Sequence, residues 1–286
     1  MATRVAFLGP AGTFSEDALV SAAGEAELDP LPRPSVYAAI LAVADGEAAR
    51  ALVPFENSIE GAVRSTLDTL AFEGEGVAIV GEHDHAIRHS LIARTGMPLE
   101  RIGIVLSHPQ ASAQCARFIH EELPQATVRA AASTADAVRG VASSDQPWAA
   151  LGAASAAGIY GCVVLREGVE DNPDNVTRFV WIAQAGTRPT GGGPWRTTLV
   201  FSELGADHPG ALVEALTEFS SRDVNLTRIE SRPLKRGLGR YMFFLDLEGA
   251  SDHEPVAGAI QALRAKAESV RVLGSYPIAA DGIPGV

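Results

Sequence analysis

The chain has 286 residues, 47% of them hydrophobic and 20% charged, with a formal net charge of −12. That length fits two or three compact units, and without a lysine or arginine run it offers neither a nucleic-acid groove nor a basic membrane-binding face. Cys115 and Cys162 make no metal or redox spacing, no apolar run is long enough to span a bilayer, and the N-terminus shows no signal peptide, so a cytoplasmic protein is expected.

The first strand is "RVAFL", followed by a helical pattern in "GTFSEDALVSAA". The alternation repeats. "RALVPF" precedes "ENSIEGAVRSTLDTLA", and "RIGIVL" precedes "SHPQASAQCARFIHEEL". "TVRAAA" precedes "STADAVRGVASS", and "WAAL" precedes "GAASAAGIYG". This is the pattern of an α/β unit with parallel strands. Its strand-to-helix turns hold Thr13 and Ser15, Asn57 and Ser58, Ser107, and Ser133 with Thr134. N-capping accounts for such residues singly. Together they mark one crevice, because strand C-terminal ends and helix N-termini converge in open α/β sheets and helix N-termini favour anions.

"DNPDNVTRFVWIA" begins as a loop and ends as a buried strand, with Thr177 and Arg178 at the strand mouth. The arginine either caps a surface turn or waits for an anion. "QAGTRPTGGGPWR", residues 184–196, then reads as a linker, since its glycines and prolines hold neither helix nor central strand. Beyond it come the strand "RTTLVFSEL", the helix "PGALVEALTEFSSR", the strands "LTRIESRP" and "GRYMFFLDL", the helix "PVAGAIQALRAKAES" and the strand "VRVLGSYP". That order, βαββαβ, is the ferredoxin-like split-βαβ arrangement. Strands this apolar need cover beyond two helices, which predicts a homodimer or homotetramer joined partly through this unit.

Several chemistries are excluded. No P-loop is present, and "GPAGTFS" lacks the dinucleotide spacing. Neither GxSxG nor HExxH occurs. "EHDHAIRHS" puts His83 and His85 on one face of a strand with His89 nearby, but no fourth ligand is evident and a polar edge strand explains it more simply, so no metal is expected.

"VAFLGPAGTFSEDAL", "LVPFENSIEGAV", "SHPQASAQC", "ALGAASAAGIYG" and "DNPDNVTRF" resemble the successive blocks of prephenate dehydratase. "DHPGALVEAL" and "ESRP" resemble the phenylalanine-binding segments of the ACT domain. The resemblance runs in order along essentially the whole chain. No chorismate mutase segment precedes the first strand, so it is to the monofunctional form. It implies conversion of prephenate to phenylpyruvate, water and carbon dioxide in phenylalanine biosynthesis, without a cofactor. It also implies a two-lobed, periplasmic-binding-protein-like catalytic domain over residues 1–183, then an ACT domain over 197–277. One lobe would take about 1–80 plus 162–183, the other about 81–161.

In that frame Arg178 would make a two-pronged contact with a retained carboxylate. Thr177 would donate a hydrogen bond to the leaving hydroxyl, with Glu56 a second candidate for the proton. Thr13, Ser15, Asn57, Ser58 and Gln110 would orient the substrate, and Phe179 would pack beneath it. Asp207, His208, Gly210, Ala211, Leu212, Asn225, Glu230 and Ser231 would hold the effector L-phenylalanine between paired subunits. Arogenate dehydration on the same fold is one alternative. A non-catalytic, two-lobed amino-acid sensor is the other.

Overall fold

The computed structural model describes residues 2–204, 209–278 and 284. In chain order the elements are β1 (Thr3–Leu8), α1 (Phe14–Ala23), β2 (Leu28–Arg33), α2 (Val36–Ala44), β3 (Arg50–Asn57), β4 (Gly61–Ala62), α3 (Arg64–Phe72) and β5 (Val77–Ala86). Then follow β6 (Ser90–Ala93), β7 (Ile104–Ser107), α4 (Pro109–Gln114), α5 (Ala116–Glu122), β8 (Thr127–Ala130), α6 (Thr134–Ala142), β9 (Trp148–Gly152), α7 (Ala154–Tyr160) and β10 (Val163–Glu167). The chain ends with β11 (Val176–Gln184), β12 (Trp195–Ser202), α8 (Ala211–Ser220), β13 (Leu226–Pro233), β14 (Tyr241–Glu248), α9 (Val256–Arg264) and β15 (Ser269–Pro277). No helix among the described residues is long and apolar enough to cross a membrane.

The first lobe is built on β5-β11-β3-β1-β2, and the second on the separate sheet β10-β6-β9-β7-β8. The chain passes from one to the other between Ala86 and Ser90 and returns between Glu167 and Val176. The expected lobe limits need two corrections. Residues 81–86 belong to the first lobe, because β5 pairs with β11 as far as Ala86. Residues 163–167 belong to the second, because β10 pairs with β6. The expectation of parallel strands holds for β1 with β3 and for β7 with β8 and β9. β11, which stands outside that strand–helix alternation, runs antiparallel to both neighbours, since the chain re-enters the sheet without a crossover helix.

Two local readings also change. β2 holds Pro30 and Pro32 and was not expected as a strand; it lies at the sheet edge, where a missing N–H is tolerated. The helix expected from Glu56 starts only at Arg64. The Asn57 side-chain oxygen accepts the amides of Ile59 and Glu60 at 3.0 and 2.9 Å, an Asx turn that ends β3 before any helix forms. β5 meets β15 at Ile79, and at its histidines, read as a polar edge, it pairs with β11.

The second unit forms the four antiparallel strands β13-β14-β12-β15 with α8 and α9 on one face. Leu199, Phe201, Phe219, Leu245, Ile260 and Leu263 fill that side. On the other face Val200, Met242, Phe244 and Tyr276 share a core with Phe55, Leu67, Leu70 and Ile79 of the first lobe. The same chain therefore supplies the cover that was expected from self-association. Strand β12 begins at Trp195, so the last two residues read as linker are already sheet.

The two units join edge to edge through a parallel pairing of β15 with β5 at Gly274 and Ile79. A Cβ on Gly274 would lie 2.3 Å from the Ile79 carbonyl oxygen, which is backbone and cannot step aside. Gly274→Ala is expected to destabilise the protein by about 1–3 kcal/mol, the usual scale of overpacking. A urea unfolding curve checks it, and an unchanged midpoint would mean that this contact does not hold the units together.

Candidate active site

A cleft of about 840 Å³ opens between the lobes. The β1–α1 turn and the β3 and β11 ends border it from the first lobe, and the α4 and α6 starts from the second.

Side chains alternate along β11. Thr177 and Phe179 line the cleft, while Arg178 points to the opposite face. Thr177 sits opposite Asn57 on β3, and Arg178 opposite Glu56. The Asx turn takes up the Asn57 oxygen, so its NH2 must face inward. It donates to Thr177 Oγ1 at 2.9 Å and to Asn175 Oδ1 at 2.7 Å. The Thr177 hydroxyl makes no further hydrogen bond among the described residues, so its own hydrogen is free to donate into the cleft. Phe179 is buried beneath, 6.4 Å from the ring of His85.

The polar chain continues into the second lobe. Asn175 Nδ2 donates to Gln114 Oε1 at 3.0 Å, and His89 Nε2 meets the same oxygen at 3.1 Å. Gln114 Oε1 can only accept, so His89 carries its proton on Nε2. The imidazole is 2% exposed and lies edge-on to Phe14 at 5.0 Å. Sequence reading missed Gln114, His89 and Asn175. For Gln114 a signal existed, because it lies four residues after Gln110 on the same helical stretch.

Burial depresses the pKa of His89, and of His83 and His85, below the ordinary 6.5. The folded protein keeps them neutral where the unfolded chain takes up protons. Their contribution to stability is present above 6.5 and lost as pH falls through that value toward the lower folded pKa values. Glu82, whose pKa burial raises, acts in the opposite direction nearer its ordinary 4.5. Unfolding free energy is expected to fall between about pH 7.5 and about pH 5.5, by up to ~1.4 kcal/mol per pH unit per histidine. His89→Gln should flatten that dependence. Equal slopes for the variant and the parent protein would assign the titration to other groups.

The cleft is arranged for an anion. No side chain caps α1; the Thr13 hydroxyl instead donates to the Leu8 carbonyl at 3.0 Å. The Glu16 amide donates to the Thr13 carbonyl at 3.0 Å and the Glu16 carboxylate accepts the Gly12 amide at 2.6 Å, which leaves the Phe14 and Ser15 amides without a partner among the described residues at this helix end. Ser133 does cap α6, accepting from the Asp136 amide at 2.9 Å. Gln110 borders the cleft at the start of α4. So does Arg33, a cation passed over in the sequence, which is ion-paired with Glu47.

Arg178, Glu56 and Ser58 need correction. The Arg178 guanidinium contacts Glu56 at 2.8 Å, Asp246 of β14 at 2.5 Å and Glu82 at 3.4 Å. Burial opposes its charge, but Asp246 raises its pKa above the ordinary value. It is spent between the domains and does not reach the cleft. Glu56 lies on the same far face, paired also with Arg228 of β13 at 3.4 Å, because β3 alternates as β11 does. Ser58 is in the turn beyond, where its hydroxyl donates to the Asp174 carbonyl at 3.2 Å and accepts from the Val176 amide at 3.0 Å. It ties the loop and does not line the cleft.

In the second unit Gly210, at φ 97°, precedes α8, and Ala211 and Leu212 open that helix. They line a cavity of about 510 Å³ with Leu234, Arg240, Tyr241 and Phe243. Asn225 is exposed, its backbone carbonyl accepts from the Glu248 amide, and it does not border this cavity. Glu230 and Ser231 lie on edge strand β13 and do not border this cavity within one chain. Asp207 and His208 lie outside the described residues. His83 and His85 have ring centres 6.1 Å apart, and among the described residues no group of three His, Cys, Asp or Glu could hold a metal ion.

The family model described as prephenate dehydratase matches residues 5–187, and the ACT domain model matches residues 197–265. A protein named prephenate dehydratase from Mycolicibacterium vanbaalenii is 41% identical, the match covering 96% of this chain and 90% of that one. The structure of prephenate dehydratase from Arthrobacter aurescens in complex with L-Phe superposes with a TM-score of 0.88 at 42% identity, covering 99% of this chain and 92% of that one. A structure described as a novel type of quorum quenching acylase superposes with a TM-score of 0.83 at 31% identity, covering 96% of this chain and 98% of that one.

Proposed function

The chain belongs to the prephenate dehydratase family, and from that premise we propose that the cleft between the lobes is where prephenate loses water and carbon dioxide to become phenylpyruvate. In this reaction the bond from the ring to the carboxylate breaks and its electron pair enters the ring. The ring hydroxyl leaves with the electrons of its C–O bond, takes a proton and departs as water. The aromatic product supplies the driving force. The protein must hold a dianion, help the hydroxyl leave and limit solvation of the departing carboxylate.

One observation carries the reading: Thr177 lines the cleft, and its Oγ1 accepts from the Asn57 amide and has no other partner among the described residues, which leaves its hydrogen for the substrate. Thr177 then stabilises the leaving hydroxyl by hydrogen bonding, as a weak acid can. The α1 amides, Arg33 and the side chains of Ser15 and Gln110 hold the carboxylates. An acyl-transfer reading needs a nucleophile beside a base. The Thr177 hydroxyl meets an amide, and burial pushes the Cys115 thiol pKa far above its ordinary value.

Purified protein incubated with prephenate should form phenylpyruvate, followed by its absorbance in base. No phenylpyruvate would sink the reading. Faster conversion of arogenate to phenylalanine would instead assign the amino analogue as substrate.

L-phenylalanine is the proposed effector. Gly210 to Leu212 form one wall of its site, and Ser231 of a second copy would complete it, which makes the assembly a homodimer or homotetramer. The compartment that fits this reading is the cytoplasm. The shortest route from effector to chemistry runs through Asp246 and Arg228, which touch Arg178 and Glu56, the strand neighbours of Thr177 and Asn57. Inhibition by L-phenylalanine in the same assay, together with the mass of the assembly in solution, tests this regulation.

A further inference from the structure

Asn175 joins the two lobes through its side chain at the mouth of β11. It is 1% exposed. Its Oδ1 accepts from Asn57 Nδ2 of β3 at 2.7 Å, and its Nδ2 donates to Gln114 Oε1 of α4 at 3.0 Å. An isolated side-chain amide can turn over, since its last torsion is close to two-fold. Here the direction of every amide follows from the one before. The backbone amides of Ile59 and Glu60 occupy the Asn57 oxygen. Asn57 must therefore present NH2 to Asn175, and Asn175 must present NH2 to Gln114. The Gln114 oxygen then faces Asn175 and His89. Its NH2 is turned away from them, has no hydrogen-bond acceptor among the described residues, and belongs to a side chain that borders the cleft.

We infer that Asn175 is a positioning residue for the dehydratase reaction: it acts through Gln114, holding that amide with its donor end toward the substrate. The inference rests on the dehydratase reading above and adds Gln114 to the groups that touch the dianion. Turned over, Gln114 would offer the dianion an oxygen, a repulsive contact in place of a hydrogen bond.

The test is a double-mutant cycle on the full chain. Asn175→Asp keeps the shape of the side chain but has no donor, so Gln114 must turn its NH2 toward residue 175. Gln114→Met removes the amide. Each variant is expected to lower kcat/KM by about 100-fold with the thermal unfolding midpoint retained. The double variant should be no more than about threefold worse than Gln114→Met, because the second change acts only through the group already lost. Asn175→Ala leaves Gln114 its bond from His89 Nε2, so it should lower kcat/KM less than Asn175→Asp, and that loss too should vanish in the Gln114→Met background. Wild-type kcat/KM in a folded Asn175→Asp protein, or losses that multiply to about 10,000-fold, overturn the inference while leaving the reaction in place. A wild-type protein that makes no phenylpyruvate overturns the dehydratase reading and this inference with it.

Discussion

Replacing Thr177 with alanine is expected to lower kcat by about 100- to 10,000-fold, the scale of a lost proton-transfer or charge-stabilising group. The hydroxyl is buried, bonded to Asn57 at 2.9 Å and directed into the cleft. Its hydrogen bond gains value as negative charge develops on the leaving oxygen, so the loss should fall on kcat more than on KM. Thr177→Ser retains the hydroxyl and should recover most of the rate. The fold should be indifferent, because one hydrogen bond contributes about 1 kcal/mol. Steady-state kinetics beside a thermal unfolding curve separate the two effects. Wild-type kcat in a folded Thr177→Ala protein would remove the residue from the chemistry.

The next residue should behave in the opposite way. Arg178→Met is expected to reduce unfolding free energy by about 3–5 kcal/mol, the usual result of stranding buried charges. Asp246 is fully buried and Glu82 nearly so, and both face the guanidinium. Arg196 would still meet Glu82, but the hydrogen bonds that remain to Asp246 come from an uncharged hydroxyl, that of Thr198 at 2.8 Å. Arg178→Lys should lose less, since the charge survives while one ammonium cannot span three carboxylates. For the fraction that stays folded, KM should be nearly unchanged. Urea unfolding and kinetics on the same preparations check both statements. A stable Arg178→Met protein with a much higher KM would return the guanidinium to the substrate.

The contrast between these neighbours shows how far the sequence reaches. The alternation of a strand already requires Thr177 and Arg178 to face opposite sides. Which side meets the cleft depends on the partner strands and on the domain packed behind β11, and neither is written locally. The βαββαβ order of the second unit was legible because each element has its own period and turn residues, and the linker because glycine and proline act on their own backbone. Of the hydroxyls and amides read as helix caps, Ser133 caps its helix, while Thr13 and Ser107 donate to the Leu8 and Leu151 carbonyls and Asn57 closes a turn, because a cap is fixed only once the helix start is. β2 was hidden because its prolines are acceptable only at an edge, and edge position is a property of the whole sheet.

By itself, then, the sequence determined the strand–helix alternation around the cleft, the βαββαβ order of the second unit and the hydroxyl at the mouth of β11, all properties of short stretches of chain. Tertiary structure alone decided the rest. It spent Arg178 between the domains and covered the second sheet with the first lobe. It also brought Asn57, Gln114 and Asn175 together across separations of 118 and 61 residues. The physical reason is common to all three. The direction of an amide, the partner of a charge and the cover of a face are set by contacts between segments distant in the chain, and no local propensity encodes them.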